Sequence, residues 1–449
     1  MKIKRRKRII PRKQLPKDIG ALSLKAHAMA RGKIEEVGRV PIMNLDDLAI
    51  YYTPGVVSSC LAIRDNKDLS YDYTSRGNRI AIVTDGSRIL GLGGIGPEAG
   101  MPVMEGKALL FKKFGNVDAV PLTIRTTTAE EMISFVKAIE PGFGGINIED
   151  TAPPKCFEVV DRLQKELDIP IFHDDRQGTS VVAYAALKNA LRLVGKDLKD
   201  AKIVINGIGA AGVGIAQLLL AAGAGNIIMC DTRGILYQGR KDDMNTIKEN
   251  LATHTNRSSL KGQLEDAVKG ADVLIGVSSK GAFSDKMIKA MAPRAIVFAL
   301  ANPDPEIDYG AAKAAGAEIV ATGVSDLPNQ VNNLLAFPAI FRGALDARAR
   351  KINTAMLLAA ADSLGTGVPK FKLSKDHIIP NFTEDDIISI TAEMAVAVAR
   401  AAVETGVSDS KLDANSIRKN VRGALKRYSK IEASMTKLGR MNFLTHFFK

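Results

Sequence analysis

Residues 202–212 have the sequence KIVINGIGAAG, in which an apolar strand runs directly into a glycine-rich turn. An apolar helix is predicted to follow over residues 213–222, and a second strand over residues 227–230 ends at Asp231. A strand, a glycine-rich turn, a helix and a second strand that ends in an acid form the unit of a doubly wound α/β fold. These residues therefore predict a Rossmann-like dinucleotide-binding domain.

The glycines of this turn each meet a separate physical requirement. Gly207 allows the tight turn, Gly209 lets the backbone approach a pyrophosphate, and Gly212 lets the helix pack on the strand. Asp231 stands 19 residues after Gly212, where an acid accepts a hydrogen bond from a ribose 2′-OH and favours NAD. Arg233 would instead accept the 2′-phosphate of NADP. The sequence predicts a nicotinamide dinucleotide and leaves the choice between NAD and NADP open.

Short apolar runs alternate with helical patterns on both sides of this unit, which predicts parallel sheets with crossover helices. The predicted strands are residues 80–83, 119–122, 169–172, 202–206, 226–230, 272–277, 295–299 and 317–320. The predicted helices are residues 21–37, 102–114, 128–139, 153–167, 179–194 and 383–405, the last with Thr383 as N-cap and Asp386 in its first turn. We predict a basic tail over 1–24, an α/β domain over 25–177, the Rossmann-like domain over 178–382, and a C-terminal helix with a basic tail over 383–449.

The composition is that of a globular chain with more than one domain. Its 449 residues are too many for one ordinary core, and 46% of them are hydrophobic. Aromatic residues make up only 5% and Trp is absent, which argues against stacking platforms for single-stranded nucleic acid. Three cysteines exclude a disulfide scaffold and fit a reducing compartment, so we predict a cytoplasmic location.

The net charge of +13 comes from the two ends of the chain. Residues 1–17 carry +9 and residues 411–449 carry +8, which leaves −4 for residues 18–410. Solvated termini explain these charges better than a specific nucleic-acid partner, although the basic start leaves organelle targeting open. The apolar stretch 207–230 contains six glycines and is explained by the dinucleotide unit, so no membrane span is expected.

Two pairs of adjacent acids follow predicted strands in the first half of the chain. Glu149 and Asp150 end one apolar run, and Asp174 and Asp175 come soon after residues 169–172. Ligands of open parallel sheets bind at the carboxyl ends of the strands, and carboxylates gathered there repel one another unless a cation is present. Either pair alone would be interpreted as a helix cap or a solvated turn. Together they indicate a site for Mg²⁺ or Mn²⁺, which prefer oxygen ligands.

Lys107 is the single lysine in a mostly apolar helical stretch, residues 102–110. Lysines at such positions often extend their charged ends to solvent. The alternative is a partly buried lysine whose ammonium form is destabilised, so that the neutral amine acts as a base.

Several long motifs, in order along the chain, resemble those of malic enzymes of the shorter microbial type. The resemblance covers residues 25–405 and rests on Tyr52-Thr53-Pro54-Gly55, Thr84 to Gly93, Pro102 to Lys107, Gly145 to Asp150, His173 to Thr179, Ala299 to Glu306, Pro328 to Asn333 and Phe337-Pro338. It implies oxidative decarboxylation of L-malate to pyruvate and CO2 with NAD or NADP and a divalent metal, Mg²⁺ or Mn²⁺, and it extends to oxaloacetate decarboxylation. It also implies that residues 25–177 form the substrate and metal domain and that the chain is a homodimer or a higher homo-oligomer.

The same resemblance implies roles for individual residues. Tyr52 matches the general acid and Lys107 the general base, while Glu149, Asp150 and Asp175 match the metal ligands, with Asp174 beside them. The matching substrate-binding residues are Arg88, Asn302, Asn332 and Asn333, and the matching cofactor-binding residues are Gly207, Gly209, Ala210, Ala211, Gly212, Asp231, Arg233, Ser278 and Asn302. Three positions depart from the family pattern, namely Gly94, Arg176 and Val324.

The implied roles form one chemical scheme. Lys107 would take the hydroxyl proton of malate while hydride passes to the nicotinamide, and Tyr52 would protonate the enolate that remains after CO2 departs. Arg88 would hold a substrate carboxylate in bidentate fashion. The alternatives are a metal-independent hydroxy-acid or amino-acid dehydrogenase, a nucleic-acid or membrane-surface binder that uses the basic tails, and an inactive relative that senses a ligand.

Overall fold

The computed structural model describes residues 19–30, 32–382, 386–411 and 413–437. Within these ranges the chain forms two separate sheets, one of four strands and one of six, with helices between and around them. The predicted α/β class, with a second Rossmann-like sheet, is therefore confirmed. No helix in the described ranges is both long and apolar enough to cross a membrane.

The first sheet has the strand order β2-β1-β3-β4, and all its neighbours are parallel. Its strands are β1 (Arg79–Thr84), β2 (Asp118–Thr123), β3 (Gly145–Ile148) and β4 (Ile171–His173). The middle strands β1 and β3 are almost wholly buried, as expected for a parallel sheet covered on both faces. The carboxyl ends of β1, β3 and β4 therefore lie side by side at one edge of the sheet.

The second sheet has the strand order β10-β9-β8-β5-β6-β7, in which only β7 is antiparallel to its neighbour. Its strands are β5 (Lys202–Asn206), β6 (Asn226–Asp231), β7 (Gly234–Ile235), β8 (Val273–Gly276), β9 (Ile296–Ala299) and β10 (Ile319–Thr322). The chain leaves β5 in one direction toward β6 and returns on its other side as β8. The crevice at this reversal, just after β5, is where doubly wound sheets bind their ligands.

The helices mostly agree with the sequence prediction, and α8 has the predicted bounds. They are α1 (Ile19–Ala30), α2 (Leu45–Tyr51), α3 (Val56–Asp65), α4 (Ser70–Tyr73), α5 (Pro97–Leu110), α6 (Ala129–Ile139), α7 (Lys155–Glu166), α8 (Thr179–Val194), α9 (Ala210–Ala221), α10 (Thr246–His254), α11 (Leu264–Ala267), α12 (Asp285–Lys289), α13 (Tyr309–Ala314), α14 (Phe337–Asp346), α15 (Thr354–Thr366), α16 (Ile387–Glu404) and α17 (Ala414–Lys437).

Several predicted helix boundaries are wrong; the helix expected over residues 102–114, for example, begins at Pro97. The helix expected over residues 21–37 ends at Ala30, because Gly32 has φ +106, which a right-handed helix does not allow. The last predicted helix begins at Ile387, so Asp386 is its N-cap residue and not part of its first turn. Thr383, the predicted N-cap, lies outside the described residues.

The largest hydrophobic core joins the two sheets. It contains Ile80 and Ile82 of β1 as well as Ile203 and Ile205 of β5, with α8 and α14 packed between them. Helix α14 belongs to the later part of the chain, yet its Phe341 contacts aromatic rings of the first half. The ring centroid of Phe341 lies 5.3 Å from that of Phe111 and 5.5 Å from that of Phe172. The predicted domain boundaries stay a prediction, since this packing crosses them.

Replacement of Phe341 by Ala should destabilise the protein. The side chain is fully buried among aromatic rings, and a cavity of this kind costs about 3–5 kcal/mol of unfolding free energy. Urea denaturation followed by circular dichroism measures the change. Phe371 is 86% exposed, so Phe371→Ala is the control and should shift the free energy by less than about 0.5 kcal/mol. Equal denaturation midpoints for the two variants would contradict the proposed shared core.

Candidate active site

The first sheet places its acidic residues together. Glu149 and Asp150 follow β3, and a π-helical turn, Asp174–Gly178, follows β4 and leads into α8. The neighbouring strands β3 and β4 are parallel, so both acidic pairs emerge at the same edge. The backbone N–H of Asp150 donates to a carboxylate oxygen of Asp175 over 3.2 Å. The sequence prediction that these two pairs meet at one sheet edge is therefore met in the structure.

Lys107 of α5 points into this acidic edge. Its Nζ lies 2.9 Å from Oε1 of Glu149 and donates a hydrogen bond to Asp174. The same Nζ lies 4.4 Å from the ring centroid of Phe337, the first residue of α14. The Lys107 side chain is only 9% exposed. The solvent-extended interpretation of this lysine is therefore excluded.

The protonation of Lys107 differs from the sequence expectation. Burial by itself lowers the pKa of the ammonium group, as predicted for a catalytic amine. The carboxylates of Asp174, Glu149 and Asp175 outweigh this and raise the pKa of Lys107 above its usual value. These acids therefore favour the ammonium form of Lys107, and its predicted role as a base stays a prediction.

The acids around Lys107 divide into two groups. Burial raises the pKa of Glu149 and Asp174, although Lys107 acts against this rise, and burial with the nearby Asp175 charge raises the pKa of Asp150 to about 7. Burial alone would raise the pKa of Asp175 as well, but contacts with His173 and Lys107 outweigh burial and lower this pKa. Four carboxylates therefore share one buried ammonium, and the site carries an excess of potential negative charge.

This excess bears on whether the residues fit a divalent metal. The donors are carboxylate oxygens, which Mg²⁺ and Mn²⁺ prefer, and the Oδ1 atoms of Asn147 and Asp174 are buried without a hydrogen-bond partner. Across the described part of the chain, no three Asp, Glu, His or Cys side chains are arranged so that they could hold a metal ion. Glu149 instead contacts Lys107 and accepts a 2.6 Å hydrogen bond from Asn147. The donor chemistry and charge fit a metal, and the ligand roles of Glu149, Asp150 and Asp175 stay a prediction.

The loop after β1 connects this edge to the second sheet. Asp85 accepts hydrogen bonds from Ser87 and forms a buried ion pair with Lys155, which fixes the start of the loop. The backbone N–H of Arg88 donates to the carbonyl of Asp150 over 3.1 Å. A guanidinium nitrogen of Arg88 lies 3.5 Å from the position that a Cβ on Gly209 would take. The structure thus brings Arg88 between the acidic edge and the dinucleotide turn.

The predicted asparagines lie near the same loops. The carbonyl oxygen of Asn302 lies 3.2 Å from the position of a Cβ on Gly91, and the Cβ of Asn333 lies 3.4 Å from that on Gly178 in the π-helical turn. Asn332 accepts a 3.0 Å hydrogen bond from the backbone N–H of Leu334. Asn302 and Asn333 therefore face the site loops, whereas the side-chain oxygen of Asn332 holds a local turn.

Tyr52 lies outside the strands, the π-helical turn and the helix that carry the acids and Lys107. It follows α2 in the N-terminal segment and is 65% exposed. No described hydrogen bond or ion pair connects Tyr52 with the acidic edge. Its predicted role as the general acid stays a prediction.

The dinucleotide turn has the close contacts that its glycines predict. A Cβ on Gly207, which has φ +113, would lie 2.5 Å from the carbonyl oxygen of Val277. A Cβ on Gly212 would lie 1.8 Å from the carbonyl oxygen of Gly207. Helix α9 begins at Ala210, three residues earlier than predicted, so Ala210 and Ala211 form its first turn. The first N–H groups of α9 have no acceptor within the helix, as phosphate binding requires.

Ser278 lies beside this turn and is held by a buried acid. Its hydroxyl accepts a 2.9 Å hydrogen bond from Asn206 of β5, and its backbone N–H donates to Glu306 over 2.7 Å. Glu306 is fully buried and also accepts from the backbone N–H of Ala301. Burial raises the pKa of Glu306, while these backbone hydrogen bonds oppose the rise.

Asp231 is at the end of β6, as predicted, but it does not stand alone. Arg240 donates two hydrogen bonds to its carboxylate, and Nζ of Lys248 lies 2.8 Å from Oδ2. Burial would raise the pKa of Asp231, but these hydrogen bonds outweigh it and lower the pKa to about 2. Sequence analysis missed Arg240 and Lys248, which stand 9 and 17 residues after Asp231.

Of the three departures from the family pattern, Arg176 has a clear structural role. It forms an ion pair with Asp161 of α7 and donates to Gln217 of α9 over 2.9 Å. Its guanidinium also lies 5.3 Å from the ring centroid of Phe157. Arg176 therefore links the two halves of the molecule and does not contact the acidic edge.

Two family models match the chain, "Malic enzyme, N-terminal domain" over residues 31–132 and "Malic enzyme, NAD binding domain" over residues 176–403. The chain is 47% identical to the bifunctional malic/malolactic enzyme of Bacillus subtilis, over 89% of this chain and 97% of that protein. It is 49% identical to the NAD-dependent malic enzyme of Geobacillus stearothermophilus, over 84% of this chain and 78% of the relative.

The comparison with solved structures also finds a malic enzyme. The crystal structure of malic enzyme from Pyrococcus horikoshii matches with a TM-score of 0.89 and 43% identity, over 94% of this chain and 99% of the other. The two family models cover β1, β2 and the whole second sheet, and the fold agrees with a solved member along nearly the whole chain. The chain therefore belongs to the malic enzyme family.

Proposed function

We propose that this protein catalyses the oxidative decarboxylation of L-malate to pyruvate and CO2 with reduction of NAD or NADP. The observation that carries the proposal is the position of Lys107, a buried amine in contact with Glu149 and Asp174 at the carboxyl ends of parallel strands. The reaction needs a base, carboxylate recognition and a dinucleotide close together. Arg88 lies between the acidic edge and the dinucleotide turn and supplies the second of these.

Lys107 is the proposed base for the C2 hydroxyl of malate. Asp174 and the ring of Phe337 fix the position of its Nζ, so that the amine needs little reorganisation when it takes a proton. The pKa of Lys107 is set by the charge on Asp174, Glu149 and Asp175. Any loss of negative charge from these acids lowers the proton affinity of Lys107 and favours the neutral amine that a base requires.

The metal ligands proposed for Mg²⁺ or Mn²⁺ are Glu149, Asp150 and Asp175. When bound there, the divalent ion supplies Lewis-acid stabilisation of the negative charge that develops on the C2 oxygen. Asn147 holds one oxygen of Glu149 and thereby orients this carboxylate. Asp150 has φ +46, an uncommon conformation for a residue other than glycine, and its backbone is held by both Asp175 and Arg88. Such a held conformation is frequent at functional sites.

We also propose that the chain forms a homodimer through its N-terminal segment. Helices α2 and α3 bury no residue, and the segment has a row of exposed apolar side chains, which we call the N-terminal apolar surface. It consists of Ile34, Val37, Val40, Ile42, Met43, Leu45, Leu48, Ile50, Tyr51, Tyr52, Val57 and Leu61. Contiguous apolar surface of this kind marks protein interfaces. Tyr52, the proposed general acid, belongs to this surface.

We also propose that the protein is located in the cytoplasm.

Replacement of Lys107 by Ala should remove most turnover while cofactor binding remains. Loss of a general base lowers kcat by about 10²- to 10⁴-fold, and Lys107 is distant from the phosphate-binding turn. The assay follows NAD(P)H formation from L-malate with Mn²⁺, and cofactor binding is measured by fluorescence titration. Lys137 is 48% exposed and pairs with Glu166, so Lys137→Ala is the control. Unchanged turnover in Lys107→Ala would remove Lys107 as the base.

Replacement of Asp175 by Asn should weaken metal binding. The change removes one negative charge from the proposed ligand set, so Mn²⁺ affinity should fall at least tenfold, about 1.4 kcal/mol. Electron paramagnetic resonance of free Mn²⁺ measures the affinity directly, without an activity assay. Asp161→Asn is the matched control, because Asp161 is 52% exposed on α7. Equal Mn²⁺ affinity in the two variants would refute the ligand role of Asp175.

Replacement of Leu45 by Asp should dissociate the proposed dimer. Leu45 is 80% exposed within the N-terminal apolar surface, so the folded chain tolerates the charge, but an interface would have to bury it twice. The dimer dissociation constant should rise at least 100-fold, about 2.7 kcal/mol, in sedimentation velocity experiments. Phe371→Asp, on another exposed apolar residue, should leave the dimer intact. A monomeric parent protein at micromolar concentration would contradict the proposal.

A further inference from the structure

The end of β6 contains a buried ion cluster, which consists of Asp231, Arg240 and Lys248. Nη1 of Arg240 lies 2.8 Å from Oδ1 of Asp231, and its Nη2 donates to Oδ2. Nζ of Lys248 lies 2.8 Å from the same Oδ2. The Arg240, Lys248 and Asp231 side chains are 4%, 10% and 9% exposed, respectively. Two cations therefore hold one acid in a site that water barely reaches.

The hydrogen-bonding capacity of Asp231 is already filled. Oδ1 accepts from Arg240 and from the backbone N–H of Arg233 over 2.9 Å. Oδ2 accepts from Arg240 and contacts Lys248. An ionised carboxylate offers about four acceptor positions. A ribose hydroxyl could bond to Asp231 only by displacing one of these donors, so the acid is poorly placed to select NAD.

The charge around Asp231 also argues against a preference for NAD. An acid at the end of this strand disfavours NADP because its negative charge repels the 2′-phosphate. Here Arg240 and Lys248 bring two positive charges against the one of Asp231. Asp243, which is 54% exposed, also contacts Lys248, with its Oδ2 2.6 Å from Nζ, so the two cations balance the two acids. The repulsion that would exclude NADP is therefore absent.

A cation remains available at the same strand end. Arg233 is exposed, and within the described ranges no carboxylate lies at ion-pair distance from its guanidinium. Its backbone is fixed by the hydrogen bond to Asp231. Guanidinium groups bind phosphate through paired hydrogen bonds. Arg233 thus offers a phosphate contact beside a neutralised acid.

We propose that Arg240 and Lys248 determine the cofactor preference of this protein: they neutralise Asp231, leave Arg233 to bind a 2′-phosphate, and make the chain bind NADP(H) at least as tightly as NAD(H). The inference rests on the dinucleotide site of the proposed function and adds the residues that choose between the two cofactors. Arg240 and Lys248 act through Asp231 and are positioning residues. Arg233 touches the cofactor.

Fluorescence titration of the full chain with NADPH and NADH, without malate or metal, tests the proposal. The parent protein should bind NADPH at least as tightly as NADH. Lys248→Gln removes one buried positive charge and frees Oδ2 of Asp231, so the ratio of NADPH to NADH affinity should fall about tenfold. Lys248→Arg retains the charge and should keep the ratio of the parent. Arg233→Gln, at an exposed position that folding tolerates, should weaken NADPH about tenfold and leave NADH unchanged.

A matched control separates this role from a structural one. Lys196 pairs with Asp272 over 2.7 Å at the opposite end of the second sheet and is 15% exposed. Lys196→Gln should reduce stability without changing the ratio of the two affinities. A parent protein that prefers NADH more than tenfold, or a Lys248→Gln variant that loses both cofactors equally, would overturn the proposal. Failure to bind either cofactor would refute the dinucleotide site itself, and with it the proposed function.

Discussion

The structure depends on the contact of one buried ammonium group with several carboxylates. Lys107 meets Glu149 and Asp174 where the strands of the first sheet end. A buried charge without a partner is costly, so neither the lysine nor the acids would be stable there alone. Each of the elements that carry them must therefore stay in register with the others. The charge contact thus joins β3, β4 and α5 in addition to the packing of their apolar faces.

The second requirement is that the acidic edge and the dinucleotide turn keep a fixed separation. Helix α14 meets it, because Phe337 lies under Lys107 while Phe341 packs on the rings of Phe111 and Phe172. Arg176 adds a polar link between α7 and α9. Residues that are distant in the sequence thus build one core across both sheets. Hydride transfer needs such a fixed distance, since misplacement of a reacting group by about 1 Å lowers the rate greatly.

Local patterns predicted what depends on local physics. The strands, helix α8 and the glycine turn follow from hydrophobic runs and from contacts that only glycine allows, as at Gly207. The acids at the ends of β3 and β4 were predicted because parallel strands end at one edge. The partners of Asp231 were missed because Arg240 lies in a segment without a periodic pattern and Lys248 lies in α10, so nothing in the spacing links either residue to the end of β6. The rise in the pKa of Lys107 could not be predicted because it depends on the sum of burial and three charges, which sequence spacing does not give.

The acidic edge and the end of β6 differ in their balance of charge. At the acidic edge, four carboxylates exceed one ammonium. Burial and the charge of Asp175 raise the pKa of Asp150 to about 7, and the acids outweigh burial to raise the pKa of Lys107. At the end of β6, Arg240 and Lys248 balance the charges of Asp231 and Asp243, and hydrogen bonds from the two cations lower the pKa of Asp231 to about 2. The first arrangement attracts a cation and the second tolerates an anion. Because burial strengthens every such interaction, the balance of charge at each site determines the sign of the ligand that it accepts.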